Sequence, residues 1–373
     1  MNSKISSITS AVKPKVHFHF IDALRGIAAL WVVLYHYAAD ERQKELINFL
    51  PNWLVVVVFK WGSLGVAIFF VLSGFVIAYS LRQAKIDFNY FGRFSLRRLS
   101  RLSPPYYVAI IISLGLAFIS SHVKGVAFAP MDEPLSFGRL LAHLFYLQGI
   151  LGQKNIDDVY WTLCLEVQFY LVFCALLAVA QWLFSSLNLQ YARALVFVPA
   201  AVVAILFPLG VFKGVLGETF LPLWYGFLIG VFAYWAWQDK LKPIFFYCYA
   251  ALVLTIGIVS SSGFAIACAI TAILILEAGR NSRLEVWLNW RVFQFLGKIS
   301  YSLYLTHVPI LGAVLFLGYK LLNRNINSEA LCLFVGILLC LGFATIMWQL
   351  VEKPSIKLSQ KIKLVKNTEA IRV

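Results

Sequence analysis

Arg25 and His36 stand eleven residues apart in an apolar run, Phe20 to Ala38, that reads FIDALRGIAALWVVLYHYA. On a helix, at about 100° and 1.5 Å per residue, this separation puts both side chains within about 20° of one face and about 16 Å apart along the axis. The stripe carries a cation at one end and an imidazole at the other. Ionisable groups inside a membrane helix cost about 2.5–3.5 kcal/mol each, so they face a bundle interior, a partner or a water-filled cavity. Two roles fit each residue. Arg25 can serve a site or snorkel to the interface beside Asp22; His36 can do acid–base work or be a satisfied interior histidine.

Three further groups have the residue types for chemistry. Glu166 lies in the apolar segment that begins Trp161-Thr162-Leu163-Cys164-Leu165-Glu166-Val167-Gln168, where a carboxylate must be paired or protonated. It can act as a base, orient a histidine, or partner an arginine. Ser300, Tyr304 and His307 follow at spacings of four and three, hence on one helix face; a hydroxyl–phenol–imidazole stripe can relay protons, line a polar cavity or simply bond neighbouring helices. Arg93, Arg97, Arg98 and Arg101 cluster just before Pro104, Pro105 and Tyr106. Guanidinium groups so close suit bidentate capture of phosphate, although charge asymmetry between loops accounts for them first.

The elements that must position these groups are membrane spans. Of 373 residues, 61% are hydrophobic and 13% charged, against about 25% charged in soluble domains. Apolar runs near the length a bilayer demands fall at about 20–39, 62–81, 103–121, 160–184, 194–212, 219–237, 244–260, 263–279, 297–319 and 330–352. The expected fold is an all-α polytopic membrane helix bundle of about ten transmembrane helices. Ser136 to Leu151 is also apolar, but Arg139 and His143 interrupt it, which predicts a re-entrant or interfacial helix. Residues 1–19 are expected to be a cytoplasmic segment, 20–352 the membrane domain and 353–373 a basic, solvated tail. The first span, with no cleavage site before it, is expected to be retained.

With the N-terminus inside, 21 Lys and Arg lie in cytoplasmic segments and 9 in external ones, so the positive-inside rule predicts two cytoplasmic termini in a plasma (inner) membrane. The net charge of +15 is spent at span ends against anionic lipid rather than on nucleic acid. The topology puts Arg25 near the cytoplasmic face and His36 near the external one, with Glu166 expected at a depth similar to His36. Gly65 and Gly74 in the second span are expected to pack helices closely. The six cysteines lack paired metal spacing and read as buried free thiols; no metal site is expected. The aromatic residues from Trp224 to Trp237 read as interfacial belt and packing.

Taken together, the motifs resemble the acyltransferase 3 family of integral-membrane acyltransferases, which includes O-antigen, exopolysaccharide and nodulation-factor O-acetyltransferases. Asp22 to Gly26 with His36 is similar to its arginine–ten residues–histidine signature. Gly65-Val66 through Phe69 to Phe75 is similar to its second-span pattern, and Arg98-Leu99-Ser100-Arg101 with Pro104 and Tyr106 to its arginine motif. Trp161 to Glu166 with Phe169-Tyr170, Ser300 to Leu305 with His307, and Glu352-Lys353-Pro354 complete the series. Thr162 stands where serine is common and Cys164 where a small apolar residue is usual. No hydrolase-like domain follows the last span, so transfer is expected to finish in the bundle or through another protein.

The resemblance implies an acyl-CoA donor, usually acetyl-CoA, and a hydroxyl acceptor on a surface polysaccharide or other glycoconjugate. It implies that Arg98 and Arg101, assisted by Arg93 or Arg97, hold the CoA phosphates. Arg25 would bind a donor oxygen, His36 would deprotonate the acceptor or take the acyl group, and Glu166 would orient His36. Trp161, Ser300, Tyr304 and His307 would line the acyl path. A multi-spanning transporter or lipid-linked glycan flippase would also use intramembrane charges, although no inverted repeat is visible between the two halves.

Overall fold

The computed structural model describes residues 17–39, 43–212 and 219–364; residues 1–16 of the expected N-terminal segment and 365–373 of the tail lie outside them. The described chain is an all-helical bundle with no strand. Its principal helices are α1 (His19–Ala39), α2 (Gly65–Ser80), α3 (Phe88–Lys124), α4 (Phe137–Leu144), α5 (Tyr160–Leu187), α6 (Ala192–Leu206), α7 (Trp224–Trp237), α8 (Pro243–Val259), α9 (Gly263–Arg280), α10 (Arg291–Leu321), α11 (Ile326–Met347) and α12 (Lys353–Lys361). Seven helical stretches are long and apolar enough to cross a membrane; α6, the stretch ending in α7, and α8 are shorter apolar helices. Each expected apolar run therefore coincides with a helix.

Small residues fix how these helices meet. α1 and α10 run in parallel with their backbones in contact: a Cβ on Gly26 would lie 2.5 Å from the Gly297 nitrogen. Ala23, Ala28, Ala29, Val32 and Val33 of α1 are all buried, small enough for its neighbours to approach closely. α2 crosses α7 the same way, Gly74 against the Phe227 carbonyl and Gly230 against the Val71 carbonyl. Gly65 meets the Ala28 carbonyl of α1. The expected packing roles of Gly65 and Gly74 are thus realised in backbone-to-backbone contacts. α7 is buried from Trp224 to Ala236, so its aromatic residues form the centre of the bundle rather than a belt at its rim; Phe227 stacks between Phe70 and Phe169 at centroid distances of 4.2 and 4.1 Å.

Two expectations change. The third span was expected to begin at about residue 103, but α3 starts at Phe88, with the Asp87 side chain accepting from the Tyr90 N–H at 2.7 Å as N-cap. The arginine cluster is therefore helical, and spacings of four, one and three spread it over neighbouring faces. The tail from Lys353 to Lys361 is α12, packed on α3 with Ser355 and Ser359 buried; Arg93 reaches across to the Lys363 carbonyl at 3.3 Å. A π-helical turn, Trp348–Glu352, joins α11 to α12, and this extra-wide turn carries Glu352 into the interior. Of the six thiols, all unbridged, Cys248 is exposed and the other five are buried.

The segment between α3 and α5 doubles back along α3. α4 runs down into the bundle, and beyond it the Tyr146 hydroxyl donates to Ser103 Oγ at 2.9 Å, while Asp157 has returned ten residues along α3 to accept from Ser113 at 3.0 Å. Arg139, expected to interrupt an apolar helix, is wholly buried. It donates to the carbonyls of Pro130, Glu133, Lys154 and Asn155 at 2.6–3.0 Å. His143 accepts from the Ile156 N–H at 3.0 Å through Nε2 and so donates to the Arg139 carbonyl through Nδ1; burial holds its pKa below the usual value. Irregular backbone at this depth survives only where such partners satisfy it.

Candidate active site

The charged residues gather at one level of the bundle. Arg25 from α1, Ser73 from α2, Arg98 and Arg101 from α3, Glu166 and Tyr170 from α5, Tyr301 from α10 and Glu352 line a cavity of about 60 Å³. Glu166 accepts from Ser73 Oγ at 2.7 Å and from the Tyr170 hydroxyl at the same oxygen. Glu352 accepts from Ser302 Oγ at 2.6 Å, and Tyr301 donates to the Leu102 carbonyl at 2.8 Å. Arg98 donates to Ser80 Oγ at 3.0 Å and lies over the Tyr170 ring at 4.9 Å. Three guanidinium groups face two carboxylates here, so the lining is net positive and suited to an anion.

A second level lies toward the C-terminal end of α1. His307, fully buried on α10, approaches His36 with Nε2 at 3.1 Å from His36 Nδ1. Its Nδ1 is 3.1 and 2.9 Å from the Leu303 and Tyr304 carbonyls. Carbonyls only accept, so His307 carries its proton on Nδ1 and offers the lone pair of Nε2. His36 Nδ1, which also lies 3.0 Å from the Val32 carbonyl, must then be the donor. Both of these His36 contacts are thus made through Nδ1. The same reasoning orders the level's hydroxyls: Thr162 donates to the Val159 carbonyl at 2.9 Å, so the Tyr304 hydroxyl donates to Thr162 at 2.8 Å.

The structure joins some of the expected residues and separates others. Arg25, Arg98, Arg101 and Glu166 come together. Glu166 shares the level of Arg25, about 16 Å along α1 from His36, and its described partners are Ser73 and Tyr170; the imidazole that faces His36 is His307. Arg97 does not line the cavity, and Arg93, exposed, bonds Asn89 at 3.1 Å and Lys363. The stripe on α10 is split: His307 meets His36, Tyr304 meets Thr162, and Ser300 turns back to the Gly297 carbonyl at 2.8 Å. Trp161 packs against Phe70 at 6.4 Å. Sequence reasoning missed Ser73, Tyr170, Tyr301 and Glu352 as lining residues. The motif matches contained all four, but nothing in their spacing distinguishes a wall from a core.

A third polar cluster lies further along the bundle, where Ser113 Oγ is 3.0 Å from Asp157 Oδ2 and 2.9 Å from the Tyr160 hydroxyl. Burial pushes the Asp157 pKa up to about 7, against the opposing pull of the Ser113 hydrogen bond. An unfolded aspartate titrates near about 3.9. Between roughly pH 4 and pH 7 the folded protein thus holds a proton that the unfolded chain has released, and stability falls as pH rises through that window. Thermal melts in detergent should show that decline in the wild type and a flatter profile in Asp157→Asn. Parallel profiles would mean that Asp157 titrates normally. Among the described residues no group of three His, Cys, Asp or Glu side chains is placed to hold a metal ion.

A helical bundle with seven stretches long and apolar enough to cross a membrane among its described residues, an ion-lined cavity and a histidine pair at two levels of its interior defines a multi-pass membrane protein. The chain belongs to the acyltransferase 3 family, whose model, described as an acyltransferase domain, matches residues 18–348. Among curated relatives, it is 26% identical over 327 residues to "Putative peptidoglycan O-acetyltransferase YrhL" of Bacillus subtilis, covering 78% of this chain and 48% of that protein. It is 30% identical over 166 residues to "Peptidoglycan O-acetyltransferase OatA" of Listeria monocytogenes, 43% of this chain and 24% of that one. "Regulator of hypoxia-inducible factor 1" of Caenorhabditis elegans is 28% identical over 165 residues, 41% of this chain and 32% of that protein. The chain spans about half the length or less of these relatives. No solved structure matches it.

Proposed function

We propose that this chain is a membrane O-acyltransferase that moves an acyl group, acetyl foremost, from cytosolic acyl-CoA to a hydroxyl of a cell-envelope glycan. The observation that carries the reading is the histidine pair, His307 Nε2 at 3.1 Å from His36 Nδ1, some 16 Å along α1 from a net-cationic cavity. The names of two bacterial relatives favour acetyl and make peptidoglycan one acceptor to test beside other surface polysaccharides. The basic residues at the span ends favour a plasma-membrane orientation with both termini and the cavity mouth on the cytoplasmic side.

In this reading Arg98 and Arg101 take the donor's phosphates, with Arg25 beside them. His36 Nε2 removes the proton from the acceptor hydroxyl as its oxygen attacks the thioester carbonyl. The carbon–sulfur bond breaks and the departing thiolate takes up a proton. His307 Nε2, accepting from Nδ1, favours the imidazolium that forms, as the acid of a hydrolase triad does. In a two-step route His36 Nε2 would instead attack the thioester carbon as the carbon–sulfur bond breaks and the thiolate leaves, and the acceptor hydroxyl would then take the acyl group from that nitrogen.

Mild alkali should release one ester-linked acid from the surface glycans of the native host, and deletion of this gene should remove it. A complementing His36→Ala chain at equal protein level should fail to restore it. Unchanged esters in the deletion strain would sink the glycan reading and favour a transporter or flippase. With reconstituted protein, Arg101→Gln should raise KM for acyl-CoA about tenfold to a hundredfold, since a charge-assisted hydrogen bond contributes about 1.5–3 kcal/mol. An unaltered KM would remove Arg101 from the donor site.

A further inference from the structure

A groove of about 710 Å³ opens between α6, α7 and α8, and none of its lining residues belongs to the cavity around Arg25 and Glu166. Its walls are Phe197, Val198, Phe232, Trp235, Phe245 and Tyr249 along most of its length. Val198 and Phe245 are 58% and 60% exposed, so the groove lies on the outer face of the bundle, where lipid chains run. One end is different. Arg193, at the start of α6, and Lys240, between α7 and α8, both line it. The Arg193 guanidinium stands over the Trp235 ring at 5.2 Å, and Lys240 Nζ donates to the Arg82 carbonyl at 3.5 Å. Lys240 is held below its ordinary pKa, first by burial and then by the neighbouring charges of Arg193 and Arg82. Cations have thus been drawn together at the mouth of an apolar trough.

The groove wall holds one more polar group. The Tyr249 hydroxyl is buried without a hydrogen-bond partner among the described residues. It lies six residues, about 9 Å, along α8 from Pro243 at the cationic end. A buried phenol of this kind normally finds an acceptor. The ligand chemistry that satisfies all three features has an anionic head, acceptor oxygens a short way below it and long apolar chains: an anionic glycerophospholipid. A free phosphate would leave the apolar walls and Tyr249 unused, and a zwitterionic lipid would bring a second cation to the cluster.

We propose that this groove binds one anionic phospholipid of the surrounding membrane, its phosphate against Arg193 and Lys240, an ester oxygen at Tyr249 and an acyl chain between α6 and α8. The site is independent of the catalytic reading and would persist if the chain proved to be a transporter.

Native mass spectrometry of the full chain, released from nanodiscs of equal phosphatidylglycerol and phosphatidylcholine, tests it. The wild type is expected to retain phosphatidylglycerol over phosphatidylcholine by about tenfold, and the Arg193→Gln, Lys240→Gln double variant to lose the preference. Lys242→Gln, an exposed change beside the same turn, is expected to keep it. Ala201→Trp, which fills the groove and leaves the cations in place, is expected to lose retention as well, and it decides the matter if the double variant misfolds. Equal retention of the two lipids by the wild type would overturn the proposal, as would an undiminished preference in Ala201→Trp.

Discussion

Replacing His36 with alanine is expected to reduce acyl transfer by about 10²–10⁴-fold, the range supplied by a positioned acid–base group, with little change in the KM for the donor. The reasoning is local. The His307 ring is held by two carbonyls of its own helix, so its Nε2 can only accept, and His36 donates to it from Nδ1. His307→Phe keeps the bulk of the ring but removes the acceptor. Its effect should be smaller than that of His36→Ala and should fall on kcat, because His307 acts through His36. Single-turnover transfer with purified protein in vesicles separates the two. His36→Ala retaining more than a tenth of wild-type turnover, at matched folding, would take the histidine out of the chemistry.

The second large effect is structural. Gly74→Val on α2 is expected to abolish recovery of folded protein. A Cβ there would fall closer than 3.0 Å to the Phe227 carbonyl oxygen, and that oxygen belongs to a helix backbone that cannot rotate away as a side chain can. α2 and α7 would have to separate along their whole crossing, and the ring stack of Phe70, Phe227 and Phe169 would open with them. Overpacking of a yielding core costs about 1–3 kcal/mol; a rigid backbone contact should exceed that. Gly115→Ala, at a helical glycine with nothing within 4 Å, is the matched control and should leave the size-exclusion profile and melting temperature unaltered. A monodisperse Gly74→Val protein that melts with the wild type would show that the crossing is not tight.

These two cases mark what the residues alone could convey. Helix number, the apolar runs and the Arg25–His36 stripe follow from hydropathy and the 3.6-residue period, which act within one helix. The level of Glu166 does not. It depends on how far α5 slides against α1, α2 and α10, and that offset is set by contacts between distant parts of the chain, such as Gly26 on Gly297 and Thr162 on Tyr304. The expected depth of Glu166 rested on counting from an assumed surface, and Asp157, Val159 and Tyr160 are already buried before α5 is a turn old. The arginine helix was hidden for a related reason: polar residues reduce the apolar signal although their helix propensity is high. Arg139 illustrates the converse. A lone charge in an apolar run reads as an interruption, whereas four carbonyls from a chain that doubles back can accommodate it.

α1 also has the character of a measuring rod. It is one unbroken helix, clamped to α10 by backbone contact at Gly26 and by the imidazole pair at His36. The axial offset between Arg25, which lines the guanidinium cavity, and His36 is therefore fixed at about 16 Å. For the proposed donor this would make reach a selection rule. A thioester on a carrier arm shorter than the rod could occupy the cationic cavity and still leave its carbonyl short of His36. Such a compound would behave as a competitive occupant rather than a slow substrate, whatever the length of its acyl chain.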